Sequence, residues 1–177
     1  MKIFSFKISI ISLSLFLFLL FGCVSFRTND NGIVKIKSKS PYIATYTHKY
    51  MRGTFKALPI LITNGLTRKD STQYCEIEFR VPYKKSPMNF NFIELENNLG
   101  YKWTWSINKG MKRYIKKSNN YNMETFSARV DHQVDELSEF FFEHPIKLTF
   151  RNEFNQNIKV LKSNHIESLI KVLKHTR

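Results

Sequence analysis

Residues 74–81 read Tyr-Cys-Glu-Ile-Glu-Phe-Arg-Val, and this stretch decides the class of fold. Every second residue is apolar, and charged residues fall between them. Because side chains alternate between the two faces of a β-strand, the pattern predicts a strand with one buried face and one solvated face. Cys75 lies on the apolar side, so we expect it to pack in the core as a small hydrophobic residue.

The same period of two recurs on both sides of this strand. It predicts further strands within residues 34–36, 42–50, 101–107, 121–130, 146–150 and 158–161. Turn-forming residues separate several of them, and turns are predicted at Asn64-Gly65 and at residues 97–100. Such a succession of strands is typical of an antiparallel sheet.

Two segments have a helical period instead. Val134, Leu137 and Phe141 predict a short helix near 132–143, with Asp131 as its N-cap. Apolar residues also recur at helical spacing in 166–173, which predicts a C-terminal amphipathic helix that starts with a capping box at Asn164 and Glu167. The expected fold is therefore mostly β (α+β): an antiparallel β-sandwich or partly open barrel with these two helices.

Composition restricts the protein classes. The chain has 177 residues with 28 Lys and Arg against 14 Asp and Glu, a net charge of +14. With 42% hydrophobic residues it is too apolar for a disordered basic tail, and its length fits one domain. It has two Cys, too few for a disulfide scaffold.

The N-terminus has the features of an export signal. Lys2 and Lys7 precede an uncharged apolar run over residues 8–21, which is shorter than the ~20 residues of a membrane-spanning helix. The run ends in Leu20-Phe21-Gly22-Cys23, which resembles the processing signal of bacterial lipoproteins. Phe21 is bulkier than usual at its position, as in the relaxed signals of spirochaete-type lipoproteins. An ordinary cleaved signal and an uncleaved anchor are the alternatives.

The resemblance implies that signal peptidase II cuts before Cys23, and that Cys23 carries a diacylglyceryl thioether and an acylated amine, with chains such as palmitate. Residues 1–22 are then the signal peptide, 23–32 the lipidated Cys and tether, and 33–177 a single globular domain. Two or three acyl chains hold a domain firmly at a bilayer. The expected location is the cell envelope, with the outer membrane or cell surface favoured over the periplasmic leaflet.

The sequence gives no pattern of catalytic residues, and no cofactor or metal is predicted. His132 and Glu136 lie four residues apart on the first predicted helix, a spacing that could contribute two metal ligands. Asp135, Glu139 and Glu143 lie on the same helix. A solvated acidic face is the favoured interpretation, because one helix supplies only part of a ligand set.

A basic cluster is the candidate binding site, formed by Lys109, Lys112, Arg113, Lys116 and Lys117. In a helix these five side chains would share one face, and like charges on one face favour an anionic partner or plain solvation. The partners considered are an anionic glycan, an anionic lipid and an envelope protein; nucleic acid is disfavoured by export. Trp103 and Trp105 have the alternation of core residues, and a ligand-stacking platform is the alternative.

These observations predict a lipid-anchored, non-enzymatic envelope lipoprotein whose basic β-rich domain binds a macromolecular, glycan or anionic partner. The alternative is a structural or assembly subunit of a periplasmic envelope complex. An enzyme is the least favoured class, since no nucleophile and base are found together in the sequence.

Overall fold

The computed structural model describes residues 32–36, 42–49, 58–67, 69–107, 109–117 and 122–175. Its strands are β1 (Ile33–Ile36), β2 (Ile43–His48), β3 (Ile60–Thr67), β4 (Gln73–Tyr83), β5 (Phe92–Glu96), β6 (Lys102–Ser106), β7 (Lys112–Lys117), β8 (Asn122–Arg129), β9 (Lys147–Arg151) and β10 (Gln156–Val160). Its helices are α1 (Val134–Phe142), preceded by a 3₁₀ turn at Asp131–Gln133, and α2 (Ser163–Lys174).

The strands form two antiparallel sheets. One has the order β1-β2-β3-β4-β8-β7, and the other has the order β10-β9-β5-β6. Their apolar faces share one core, in which the Phe126 and Phe150 ring centroids are 6.3 Å apart across the two sheets. The described strands do not close into a barrel. The predicted mostly β fold with two helices is confirmed.

Strand β4 has the predicted orientation. Cys75, Ile77 and Phe79 have no exposed surface, whereas the charged residues between them are only half-buried. Burial raises the pKa of the Cys75 thiol to about 12, with smaller contributions from neighbouring carboxylates. Cys75 is thus a protonated core residue, as its position in the alternation predicts.

The turn predicted at Asn64-Gly65 is wrong, because both residues lie inside β3. The buried Asn64 amide donates hydrogen bonds to the carbonyls of Val172 and Leu173, at 3.1 and 3.0 Å. These carbonyls are at the C-terminal end of α2, where the last carbonyls of a helix lack their usual partners four residues on. Val172 also accepts the His175 N–H at 3.2 Å. The next residue, Gly65, has a structural reason to be glycine. Strand β2 passes so close to it that a Cβ would lie 1.9 Å from the Ala44 carbonyl oxygen.

Both predicted helix caps are also wrong. The Asp131 carboxylate accepts a hydrogen bond from the Cys75 N–H at 2.7 Å and pairs with Arg129, so it joins α1 to the sheet rather than capping it. Helix α2 has Lys162 at its N-cap position and no side-chain cap, so the capping box of Asn164 and Glu167 does not form. None of the helices among the described residues is long and apolar enough to span a membrane.

Acid is expected to destabilise the fold through His165. Its ring is buried, with Nε2 donating to the Ile60 carbonyl at 2.8 Å. Burial lowers its pKa below the ordinary 6.5, and burial lowers the pKa of His175 in the same direction. As the pH falls below about 6.5, these histidines therefore take up protons in the unfolded chain before they do so in the folded protein. The free energy of unfolding then falls by at most about 1.4 kcal/mol per pH unit for each histidine.

Urea unfolding between pH 7.5 and 5.5 measures this loss. The variant His165→Gln is expected to unfold with a smaller pH dependence than the parent protein. An equal pH dependence in both proteins would contradict the assignment to His165.

Candidate functional site

A cleft of about 490 Å³ lies between the edges of the two sheets. Strand β6 forms one side, and the ends of β7 and β8 form the other. The main side chains of the cleft fall into three groups: an aromatic wall, a basic rim and a hydrogen-bonded floor. We call the space that they enclose the β6–β8 cleft.

Trp103 and Trp105 form the aromatic wall. Both lie on the inner face of β6, and their ring centroids are 5.6 Å apart. Trp105 packs on Phe79 at 5.0 Å, and Trp103 packs on Phe140 of α1 at 6.3 Å. Each indole remains half-buried and also lines the cleft. The predicted core packing is therefore present, and the same rings form a surface that a ligand can touch.

Lys109 and Lys112 form the basic rim together with Arg129. The helix considered for this region is wrong, because Lys112–Lys117 is strand β7, paired with β8. Gly110 comes just before the strand with a φ of +87°, a left-handed conformation that glycine adopts without strain. Since a strand sends successive side chains to opposite faces, the five basic residues do not share one face.

Arg113 is half-buried and does not line the cleft, so it does not belong to the basic rim. Its Nε donates to the Glu124 carboxylate at 2.8 Å, and its Nη2 donates to the Asn89 side-chain carbonyl. Glu124 is completely buried and also accepts the Met88 N–H at 3.0 Å. The backbones of Lys116 and Lys117 pair with Met123 and Asn122, and their side chains lie outside the described part of the structure.

The floor of the cleft is a network around Glu76. Its carboxylate accepts the Ser127 hydroxyl and the Tyr74 hydroxyl, each at 2.6 Å. The Arg129 guanidinium lies over the Tyr74 ring, 4.9 Å from the centroid. Burial, followed by the hydrogen bond to Glu76, raises the pKa of Tyr74, so the phenol stays protonated and keeps donating. The Glu76 carboxylate is therefore occupied by internal donors.

The electrostatics of the cleft favour an anion. Its lining carries the cations Lys109, Lys112 and Arg129 against the carboxylate of Glu76. Arg129 is also paired with Asp131, so Lys109 and Lys112 supply the excess positive charge. Sequence reasoning did not select Arg129, Tyr74 or Glu76. Tyr74 and Glu76 share one face of β4, but Arg129 meets them only through the pairing of Glu76 with Arg129 across β4 and β8, which no periodicity within one segment shows.

The acidic residues of α1 lie away from this cleft. Asp135, Glu136, Glu139 and Glu143 are exposed, as expected of a solvated face, and His132 is exposed beside them. In the part of the chain that the structure describes, no three His, Cys, Asp or Glu side chains are grouped so that they could hold a metal ion.

Cys23 and the predicted signal peptide lie outside the described residues. No protein-family model, curated protein or solved structure matches the chain.

Proposed function

We propose that this protein is a lipid-anchored lipoprotein of the bacterial envelope that binds an anionic partner in the β6–β8 cleft, without catalysing a reaction. The single observation that carries the binding role is the meeting of two lysines, Lys109 and Lys112, with two tryptophans in one cleft. Fixed positive charge attracts an anionic partner and orients it, and half-buried indoles supply contact area at small entropic cost.

Several further features support a role in binding. The cleft is held in shape before any ligand arrives, because the indoles pack on Phe79 and Phe140, and the Glu76 network fixes Arg129. Preorganised groups lose less conformational entropy when a partner binds. The lipid anchor is supported by the sequence Leu20-Phe21-Gly22-Cys23 after an uncharged apolar run.

Replacing Cys23 with serine tests the anchor. The hydroxyl of serine cannot take the thioether, so Cys23→Ser is expected to lose all incorporation of labelled palmitate and to accumulate as the uncleaved precursor. Cys75→Ser is the matched control, and it is expected to keep its label because Cys75 is buried in the core. Undiminished labelling of Cys23→Ser would overturn the lipoprotein assignment.

Reversing two charges tests the binding site. The double variant Lys109→Glu/Lys112→Glu is expected to bind fluorescein-labelled heparin and labelled polyglutamate about tenfold more weakly or worse, since each charge near an anionic surface contributes ~1 kcal/mol. Fluorescence anisotropy with the purified full-length protein in nonionic detergent measures this, and binding should weaken with added salt.

Lys84→Glu/Lys85→Glu is the matched control for net charge, because both lysines are exposed neighbours outside the cleft. It is expected to bind both probes nearly as well as the parent protein. Equal losses in the two double variants would mean that only the overall charge matters. If neither probe binds the parent protein at low salt, the proposed binding function fails.

A further inference from the structure

Within the described residues, the edge of β6 has no strand partner on the side of the cleft, although the Ser106 carbonyl accepts the Lys109 N–H at 3.0 Å. Antiparallel strands alternate between residue pairs that exchange hydrogen bonds and pairs that do not. The Asn97 N–H donates to the Tyr101 carbonyl at 3.1 Å next to the β5–β6 ladder, and this bond fixes the alternation. Trp103 and Trp105 therefore bond to β5, whereas Thr104 directs its N–H and C=O away from β5 and lines the cleft.

The opposite side of the cleft has the same property. The Val130 N–H donates to the Cys75 carbonyl at 2.9 Å, so Ser127 and Arg129 direct their main-chain groups away from β4. Ser127 meets Lys112, the first residue of β7. The pairing of β8 with β7 ends at Ser127. Within the described residues, Arg129 therefore has no strand partner on that side.

The β6 edge differs from the β10 edge, which is the opposite edge of the same four-stranded sheet. On β10, Lys159 lies in register with Leu148 and is directed to the inner face, and an inward charge discourages another strand from adding to an edge. The corresponding inner positions of β6 hold Trp103 and Trp105, which are apolar and offer contact area instead. The β6 edge thus has the features of an edge that accepts a strand.

We infer that the anionic partner is an acidic peptide segment in extended conformation, which adds as a strand to the β6 edge and lies between Thr104 and Arg129. This inference rests on the proposed function, since it names the partner of the same cleft. Main-chain hydrogen bonds supply affinity in such strand addition, and alternate side chains supply specificity. Because a strand alternates its faces, one set of side chains contacts the two indoles, and acidic side chains reach Lys109 and Lys112.

A blocked octapeptide of alternating glutamate and valine is the probe. It is expected to bind the full-length protein in detergent with a salt dependence like that of polyglutamate. Two isomers of this peptide are compared with it, one N-methylated on the glutamate amides and one on the valine amides. Because alternate amides of a strand face opposite sides, one isomer lacks the donors that face β6 and the other lacks those that face β8. At least one isomer is expected to bind at least tenfold more weakly than the unmethylated peptide, and equal binding of all three would overturn the inference.

Thr104→Pro gives the complementary test on the protein. Proline removes the N–H that faces the cleft, and an edge strand tolerates proline at such a position. Thr104→Val is the control because it keeps the N–H. The proline variant is expected to lose at least tenfold in affinity for the octapeptide and to keep its affinity for heparin, which main-chain pairing does not hold.

The two proposals fail in different ways. If heparin binds and the charge-reversal variant abolishes its binding, but the octapeptide does not bind, the cleft takes a glycan: the strand-addition inference is then wrong and the proposed function stands. If heparin, polyglutamate and the octapeptide all fail to bind at low salt, the proposed function itself is wrong.

Discussion

Gly65→Ala is expected to destabilise the protein by roughly 3 kcal/mol or more, because the new Cβ would lie 1.9 Å from the Ala44 carbonyl oxygen. That oxygen belongs to the backbone of β2, which pairs with β3 at this point, so it cannot move aside as a flexible side chain would. Relief of the clash requires the two strands to separate, with loss of neighbouring ladder hydrogen bonds.

Urea unfolding measures the effect, and Gly100→Ala is the matched control. Gly100 lies in the β5–β6 turn with a φ of +80°, and a Cβ added there would have no other atom within 4 Å. Its substitution therefore costs only the strain of a left-handed residue, about 1–2 kcal/mol. A Gly65→Ala protein as stable as Gly100→Ala would show that β2 and β3 do not approach so closely.

Arg113→Met is expected to destabilise the protein by about 3–5 kcal/mol, because it leaves the completely buried Glu124 carboxylate without its cation. A second substitution, Glu124→Gln, removes the isolated charge and keeps an acceptor for the Met88 N–H. The double variant is therefore expected to recover most of the loss. Unfolding of both variants in urea gives the two free energies.

Two results would contradict this account of Arg113. One is a loss below about 1 kcal/mol in Arg113→Met, the size of an exposed ion pair. The other is a selective loss of heparin binding in folded Arg113→Met, which would return Arg113 to the binding surface. The Lys109→Glu/Lys112→Glu variant is expected to do the opposite: to lose binding and keep its stability.

The strands that are apolar on one face could be predicted from the sequence. Strands β4 and β6 have a regular period of two because one face of each packs on the core, and α2 has a helical period for the same reason. Strand β7 has no such signal. Its inward residue Arg113 is charged, and that charge is paired with the buried Glu124 in another strand.

The turn prediction at Asn64 failed for a related reason. Asn and Gly favour turns locally, but Asn64 is buried because it binds carbonyls of α2 more than 100 residues later in the chain. The cleft likewise depends on sheet register, since Thr104 and Arg129 meet only when both sheets are assembled. Local patterns predict the strands, and long-range pairing determines the site.

Tryptophan fluorescence tests most directly the claim that an anionic partner binds in the β6–β8 cleft. The chain contains two tryptophans, and both line this cleft. Addition of polyglutamate at low salt is expected to change their emission and to protect them from acrylamide quenching, in the parent protein and in Lys84→Glu/Lys85→Glu but not in Lys109→Glu/Lys112→Glu. Polyglutamate binding by anisotropy with unchanged emission and unchanged quenching would place the partner elsewhere and contradict the claim.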